Sequence, residues 1–163
     1  MIKCSKCDLN YVKDGDALCS VCINNGGDVL LAIILNISKD FQKWINKSSA
    51  HAKLDFDDLD MDMIYNRTRS MWKISDERQG TIKYVLSVID GVIYGVWKPL
   101  NWNIKFDERT NSFRKEFTGI IAEDKVFNNL FGRRIVSLLE KGAQNPVRYF
   151  TEKEIEQCPS LRK

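Results

Sequence analysis

Ile82-Lys-Tyr84-Val85-Leu86-Ser87-Val88-Ile89-Asp90-Gly91-Val92-Ile93-Tyr94-Gly95-Val96-Trp97 is the stretch whose reading decides the fold. β-Branched and aromatic residues fill both halves, as strands prefer. Asp90-Gly91 between them has the chemistry of a two-residue hairpin turn, in which both central residues take positive φ. The stretch predicts a hairpin of Ile82–Ile89 with Val92–Trp97. Lys98-Pro99 is expected to end the return strand, because proline withdraws a ladder N–H. Further on, Phe117–Ala122 reads as a third strand, with Gly119 marking a bulge or a close backbone approach. Asp124–Leu130 reads as a short helix. Ile135, Val136, Leu138 and Leu139 suggest another, ended by Gly142. Asn145-Pro146 leads through a rigid turn into a last strand from Val147 to Phe150. The tail 151–163 is polar, and helical or frayed.

Upstream of the hairpin the signals are mixed. Val29–Leu35 is an apolar run that fits either a helix capped by Asp28 or a buried strand. Phe41, Trp44 and Ile45 have helical spacing within Ser38–Asn46. Residues 53–62 hold five aspartates. An EF-hand loop would need a central glycine and a glutamate at its twelfth position, and both are missing. A solvated acidic loop with Leu54, Phe56, Leu59 and Met61 facing inward is the better reading.

The N-terminus carries a different signal. Cys4-Ser-Lys-Cys7 and Cys19-Ser-Val-Cys22 are two C-x₂-C pairs separated by eleven residues. Each pair can reach one metal from a tight turn, and together they supply a tetrahedral S₄ shell suited to zinc. Asp14-Gly15-Asp16 between them is a turn signal. Two disulfides or a redox C-x-x-C are the competing readings. Nearly identical pairs and a start, Met1-Ile2-Lys3, without a secretory apolar core favour Zn²⁺ held by Cys4, Cys7, Cys19 and Cys22. Asn24-Asn25-Gly26-Gly27 then breaks the chain.

These pieces predict an α+β protein: an N-terminal zinc ribbon or knuckle (1–25), a helical connector with an acidic loop (28–62), and a small curved or closed β-barrel with flanking helices (64–150). The 163 residues are enough for one ordinary domain with an appendage. A net charge of +3 permits nucleic acid without demanding it. No apolar run is long enough to span a bilayer, so no membrane partner is expected. Zinc thiolates and the remaining Cys158, a spectator thiol, fit a reducing cytoplasm.

Aromatic and basic residues interleave along the β-rich half: Arg67, Arg69, Trp72, Lys73, Trp97-Lys98, Trp102, Arg114-Lys115, Arg133-Arg134 and Arg148-Tyr149. Flat rings beside cations suit an unpaired base, the ring stacking on the base and the cation meeting phosphate. For any single tryptophan, burial in the core is the competing reading.

Over residues 64–150 the order of short pieces resembles a PUA-superfamily domain. These run from Arg67-Thr-Arg69-Ser-Met-Trp72-Lys73 and Tyr84–Trp97 through Trp102 and Arg114–Gly119 to Gly132-Arg133-Arg134 and Gly142–Tyr149. The likeness is to the EVE-like or YTH-like modules of prokaryotic restriction and defence proteins. The resemblance implies a small β-barrel holding a modified or flipped base, with Trp72, Trp97 and Trp102 as pocket walls. It implies backbone contacts by Arg67, Arg69 and Arg148, and DNA or RNA as partner. No nuclease or helicase accompanies the module, so an effector protein would act in trans.

Catalysis finds little support. His51 is the only histidine and nothing ties it to a serine or cysteine nucleophile. There is no P-loop, no GxGxxG and no deaminase signature. A metal-dependent nuclease using Asp57, Asp58, Asp60 or Asp62 with Glu116 or Glu123 is the remaining enzymatic option. A protein-interaction factor docking through the zinc ribbon is the alternative to a nucleic-acid reader.

Overall fold

The structure is a computed structural model that describes residues 60–139 and 147–161 and the strand backbones 2–3, 11–12 and 30–34. Cys4, Cys7, Cys19 and Cys22, the 38–46 segment and most of the acidic segment lie outside the described residues. Near the N-terminus β1 (Ile2–Lys3) pairs antiparallel with β2 (Tyr11–Val12).

The main body is α+β. Along the chain it runs β3 (Leu30–Ile34), α1 (Met61–Thr68), α2 (Asp76–Gln79), β4 (Ile82–Ile89), β5 (Val92–Asp107) and β6 (Ser112–Ile121). It continues through α3 (Asp124–Leu130), a 3₁₀ turn (Val136–Leu138), β7 (Val147–Thr151) and α4 (Glu152–Glu156). The five main strands lie in the order β6-β5-β4-β3-β7. β3 is parallel to β4, and the other neighbours are antiparallel. The run Val29–Leu35 thus contains a strand, with a neighbour on each side, as a continuous apolar stretch requires.

The expected hairpin forms. Asp90 and Gly91 both take positive φ, 50° and 77°, which matches the right-handed twist of the flanking strands. Two expectations fail. β5 does not stop at Pro99 but continues to Asp107, and β6 begins at Ser112. The ladder absorbs the proline at an irregularity between Pro99 and Asn101, a position where a missing N–H is tolerated. Gly119 is opposite, and a Cβ there would lie 2.4 Å from the Lys98 carbonyl oxygen. The sheet is also open, not closed into a barrel: β6 and β7 sit at its opposite edges. The long β5–β6 ribbon carries the chain outward where a barrel would have to curl back. The proposed second helix near Ile135 is only the 3₁₀ turn, while α3 falls where the sequence places it.

Each face of the sheet builds its own core. Ile64 from α1, Ile82, Val85, Ile89, Tyr94, Trp97 and Phe117 form one. Tyr84, Leu86, Val88, Ile93 and Val96 form the other with Leu130, Phe131, Ile135 and Ile155. Successive strand residues alternate between the two faces, which is why β4 is buried almost throughout.

α1 is fixed at both ends. The Asp60 side chain accepts the Met63 N–H at 3.1 Å, a helix N-cap. At the other end a hydrogen-bond chain enters the core. The Thr68 hydroxyl donates to the Ile64 carbonyl at 2.7 Å, so its oxygen must accept from the Ser87 hydroxyl, 2.6 Å away. The Ser87 oxygen in turn accepts the indole N–H of Trp97 at 2.7 Å. Gly95 makes room for that ring: a Cβ there would lie 2.7 Å from Trp97 Nε1 and 2.8 Å from Ser87 Oγ.

Ser87→Ala would leave the Trp97 N–H without its acceptor in a site with no access to water. Urea unfolding should show a loss of about 1–3 kcal/mol, the usual consequence of orphaning a buried donor, with the slope m unchanged. A variant as stable as the parent would show that the chain of hydroxyls is dispensable.

Candidate nucleic-acid interface

The chain leaves α1 and runs as an extra edge beside β6. Trp72 N–H donates to the Lys115 carbonyl at 2.9 Å, Lys115 N–H returns the bond at 2.8 Å, and Phe117 N–H donates to the Arg69 carbonyl at 2.9 Å. This sets up cross-strand rows. Ile104, Lys115 and Trp72 form one row; Trp102 and Phe117 form the next. All project from the face that carries Trp97.

Trp72 is half-buried, and its indole N–H is bonded to the Thr68 carbonyl. Trp102 is also half-buried, with its ring 5.5 Å from Phe117. Trp97 is different: 3% exposed, its ring 5.0 Å from that of Tyr65 and its N–H committed to Ser87. It belongs to the core and not to the wall of an open pocket. The rest of this aromatic cluster is Tyr65 against Phe117 at 5.9 Å, with the Tyr65 hydroxyl accepting the Gly119 N–H at 2.9 Å.

Charge at this edge is organised around Glu116, a residue 6% exposed. It lies 3.1 Å from Lys105 Nζ and 3.6 Å from a terminal nitrogen of Arg69. The Arg69 guanidinium also lies 5.9 Å from the centre of the Tyr65 ring, while its Nε is buried without a hydrogen-bond partner. Lys115, next along β6, is buried on the opposite face and bonds Asp76 and the Gln79 side chain, the latter at 2.6 Å. It anchors α2 to the sheet.

The other basic residues singled out above do not join this edge. Lys98 shares the face of Glu116 and Lys105 but sits at the far end of the β5–β6 pairing, 2.8 Å from Glu123. Arg133 is a structural clamp: it donates to the Asn129, Glu156 and Cys158 carbonyls, the last at 2.7 Å. Those bonds tie the C-terminal segment to α3 and leave it little capacity for phosphate. Arg134 is exposed but is bridged through its backbone to Val92 on that same side of the molecule. Arg148 on β7 is flanked by Val147 and Tyr149, which pack on the Trp97 face, so alternation places it on the other. Arg67 is exposed in the last turn of α1.

Asp57 and Asp58 lie outside the described residues, and the described acidic residues considered for hydrolysis are separated. Asp60 caps α1, and Glu116 and Glu123 sit in separate ion pairs on different parts of the sheet. Among the described residues no group of three or more His, Cys, Asp or Glu side chains is placed to hold a metal. Among them, also, no helix is long and apolar enough to cross a membrane.

Sequence reasoning missed Lys105, Phe106 and Phe113, which extend the same ribbon. The signal was present in the alternation of Trp102, Ile104 and Phe106 opposite Phe113, Lys115 and Phe117. Glu108–Asn111 forms the turn between them.

Glu123 is the titrating group at the edge of the second core. Hydrogen bonds from Lys98 and from the Tyr84 hydroxyl hold its carboxyl down at about 2, below its ordinary 4.5. Burial and the same carboxylate push the Tyr84 hydroxyl up. Because the folded-state value is the lower one, this stabilisation is complete above pH 4.5 and is lost as pH falls toward 2. Glu123 is about half exposed, so solvent screens the effect. Glu123→Gln should flatten the acid side of the stability–pH curve, measured by urea midpoints across that window. An unchanged acid slope would mean that other carboxylates set it.

No protein-family model matches the chain, and neither the curated proteins nor the solved structures compared with it match.

Proposed function

We propose that this chain is a nucleic-acid-binding module, with a structural zinc ribbon on Cys4, Cys7, Cys19 and Cys22 ahead of a domain resembling the EVE-like or YTH-like branch of the PUA superfamily. The observation that carries the reading is the edge described above. Trp72 and Trp102 are half-buried on one sheet face, in adjacent cross-strand rows, and Arg69 and Lys105 gather around Glu116 on the reverse face of the same edge. A ring fixed by packing on one side can offer the other to a base, and cations on the reverse of the same narrow edge can meet phosphates that pass around it. A flipped or modified base is the ligand that such a bounded aromatic surface suits, with an effector protein acting in trans. Trp97 supports the surface from beneath.

An adaptor is the second reading, favoured by Ile120 and Ile121, 54% and 50% exposed at the end of β6. Salt separates the two, because affinity built on phosphate contacts falls steeply as salt rises.

Trp102→Ala should weaken binding to single-stranded DNA or RNA by about ten- to a hundred-fold, given roughly 1–3 kcal/mol per stacked base. Binding isotherms at two salt concentrations, beside thermal melts, check this. A variant that only melts earlier, with affinity intact, would return Trp102 to a packing role and promote the adaptor.

The zinc site makes a separate prediction. Elemental analysis of purified protein should find about one zinc per chain, and removing Cys4 and Cys7 together should abolish it. Protein without zinc, or with a disulfide among the four cysteines, would end that part of the proposal.

A further inference from the structure

Among the described residues, three other than glycine take positive φ. Asp90 (50°) and Asn111 (49°) sit in the β4–β5 and β5–β6 turns, and their short polar side chains suit that region. Met71, at 68°, is different. Its apolar side chain gains no local hydrogen bond there, and its Cβ crowds the following carbonyl oxygen. Glycine would take the same backbone without that strain.

The conformation itself has a structural reason. Phe117 N–H donates to the Arg69 carbonyl, while Trp72 and Lys115 exchange both of their backbone bonds. Ser70 and Met71 therefore stand together where β6 supplies only Glu116, which is a β-bulge. The bulge sets which way Trp72 points. Paired without it from Arg69 onward, Met71 would fall opposite Lys115 and Trp72 opposite Arg114, on the other face. The bulge accounts for the positive φ but not for the methionine. Met71 is 37% exposed and belongs to neither core, although Met61, Met63 and Trp72 all pack on the first. Core packing therefore does not offset the strain. Residues held in such conformations cluster at ligand sites, and Met71 directly precedes Trp72 in the edge that carries the candidate interface.

We infer that Met71 is a ligand-contacting residue, whose side chain packs against an unpaired base seated at Trp72. A thioether suits that contact, because it is flexible and polarisable and sulfur packs favourably against aromatic rings, of which a base is one. The fold carries the strain at Met71 because the position needs both a bulged backbone and an apolar side chain, and glycine supplies only the first. This rests on the nucleic-acid reading and deepens it by adding a residue that the aromatic and basic pattern did not single out.

The full chain is tested by thermal melting beside fluorescence anisotropy against oligothymidylate and oligouridylate at low salt. Met71→Gly keeps the bulge, relieves the backbone and removes the side chain. It should melt no lower than the parent and bind about three- to ten-fold more weakly. Undiminished stability with diminished affinity is a combination that a packing residue does not produce. Met71→Leu restores an apolar side chain of similar volume and should bind close to the parent. A Met71→Gly variant that melts lower assigns the side chain to packing and overturns the inference. So does one that keeps the parent's affinity, or a Met71→Leu variant that binds as weakly as Met71→Gly. If Met71→Gly binds normally while Trp102→Ala does not, the nucleic-acid reading survives without Met71. If the parent binds neither probe, both fall.

Discussion

The hydroxyl of Ser87 is the point on which this fold turns. It sits at 0% exposure on the central strand β4. It accepts from Trp97 of β5 and donates to Thr68 at the end of α1. The direction of each bond follows from the next, because Thr68 spends its own proton on Ile64. A polar relay in an apolar core is tolerated only when each member is satisfied. Meeting that condition fixes where α1 ends. The end of α1 fixes where the chain emerges, and the emerging segment, Arg69 to Trp72, becomes the extra edge of β6. The candidate interface is therefore a consequence of a helix terminus set from within.

Alternation along the strands divides the basic residues. Trp97 and Lys98 are neighbours in sequence, yet one is sealed beneath α1 and the other is ion-paired with Glu123 near α3. Lys115 and Glu116 are both buried, one holding α2 and the other gathering Arg69 and Lys105. Burying a charge is tolerable only with a partner. The partners here are drawn from three different segments, so the ion pairs also lock the long ribbon to the body of the domain.

That ribbon differs from the rest of the sheet. The inner part of β5 is buried on both faces, while beyond Lys98 every residue but Asp107 is partly or largely exposed. Ile104, Phe106 and Phe113 on its outer part stay exposed. Phe106 and Phe113 there stand largely in water, whereas the inner strands hold two cores together.

Much of the architecture is local chemistry and therefore readable in the sequence. Asp90-Gly91 can only be a tight hairpin turn, Ile82–Trp97 can hardly be anything but strands, and Asp124–Leu130 carries its own helix signal. Gly119 announced a close backbone approach, and the structure shows it. Pro99 misled because its effect depends on the partner strand: a bulge opposite Gly119 absorbs the missing N–H, which the sequence around Pro99 does not reveal. Helix α1 was hidden in the tail of an acidic stretch, where Asp60 reads as one more charge until it is seen capping. The composition of the interface was legible as rings and cations, but its membership was not. Which tryptophan is core and which is half exposed is decided by cross-strand register and by which face α1 covers. The same register sends Lys98 and Arg148 to one face and Trp102 to the other, and the C-terminal segment claims Arg133. Those are relations between residues far apart in the chain, and only the tertiary structure sets them.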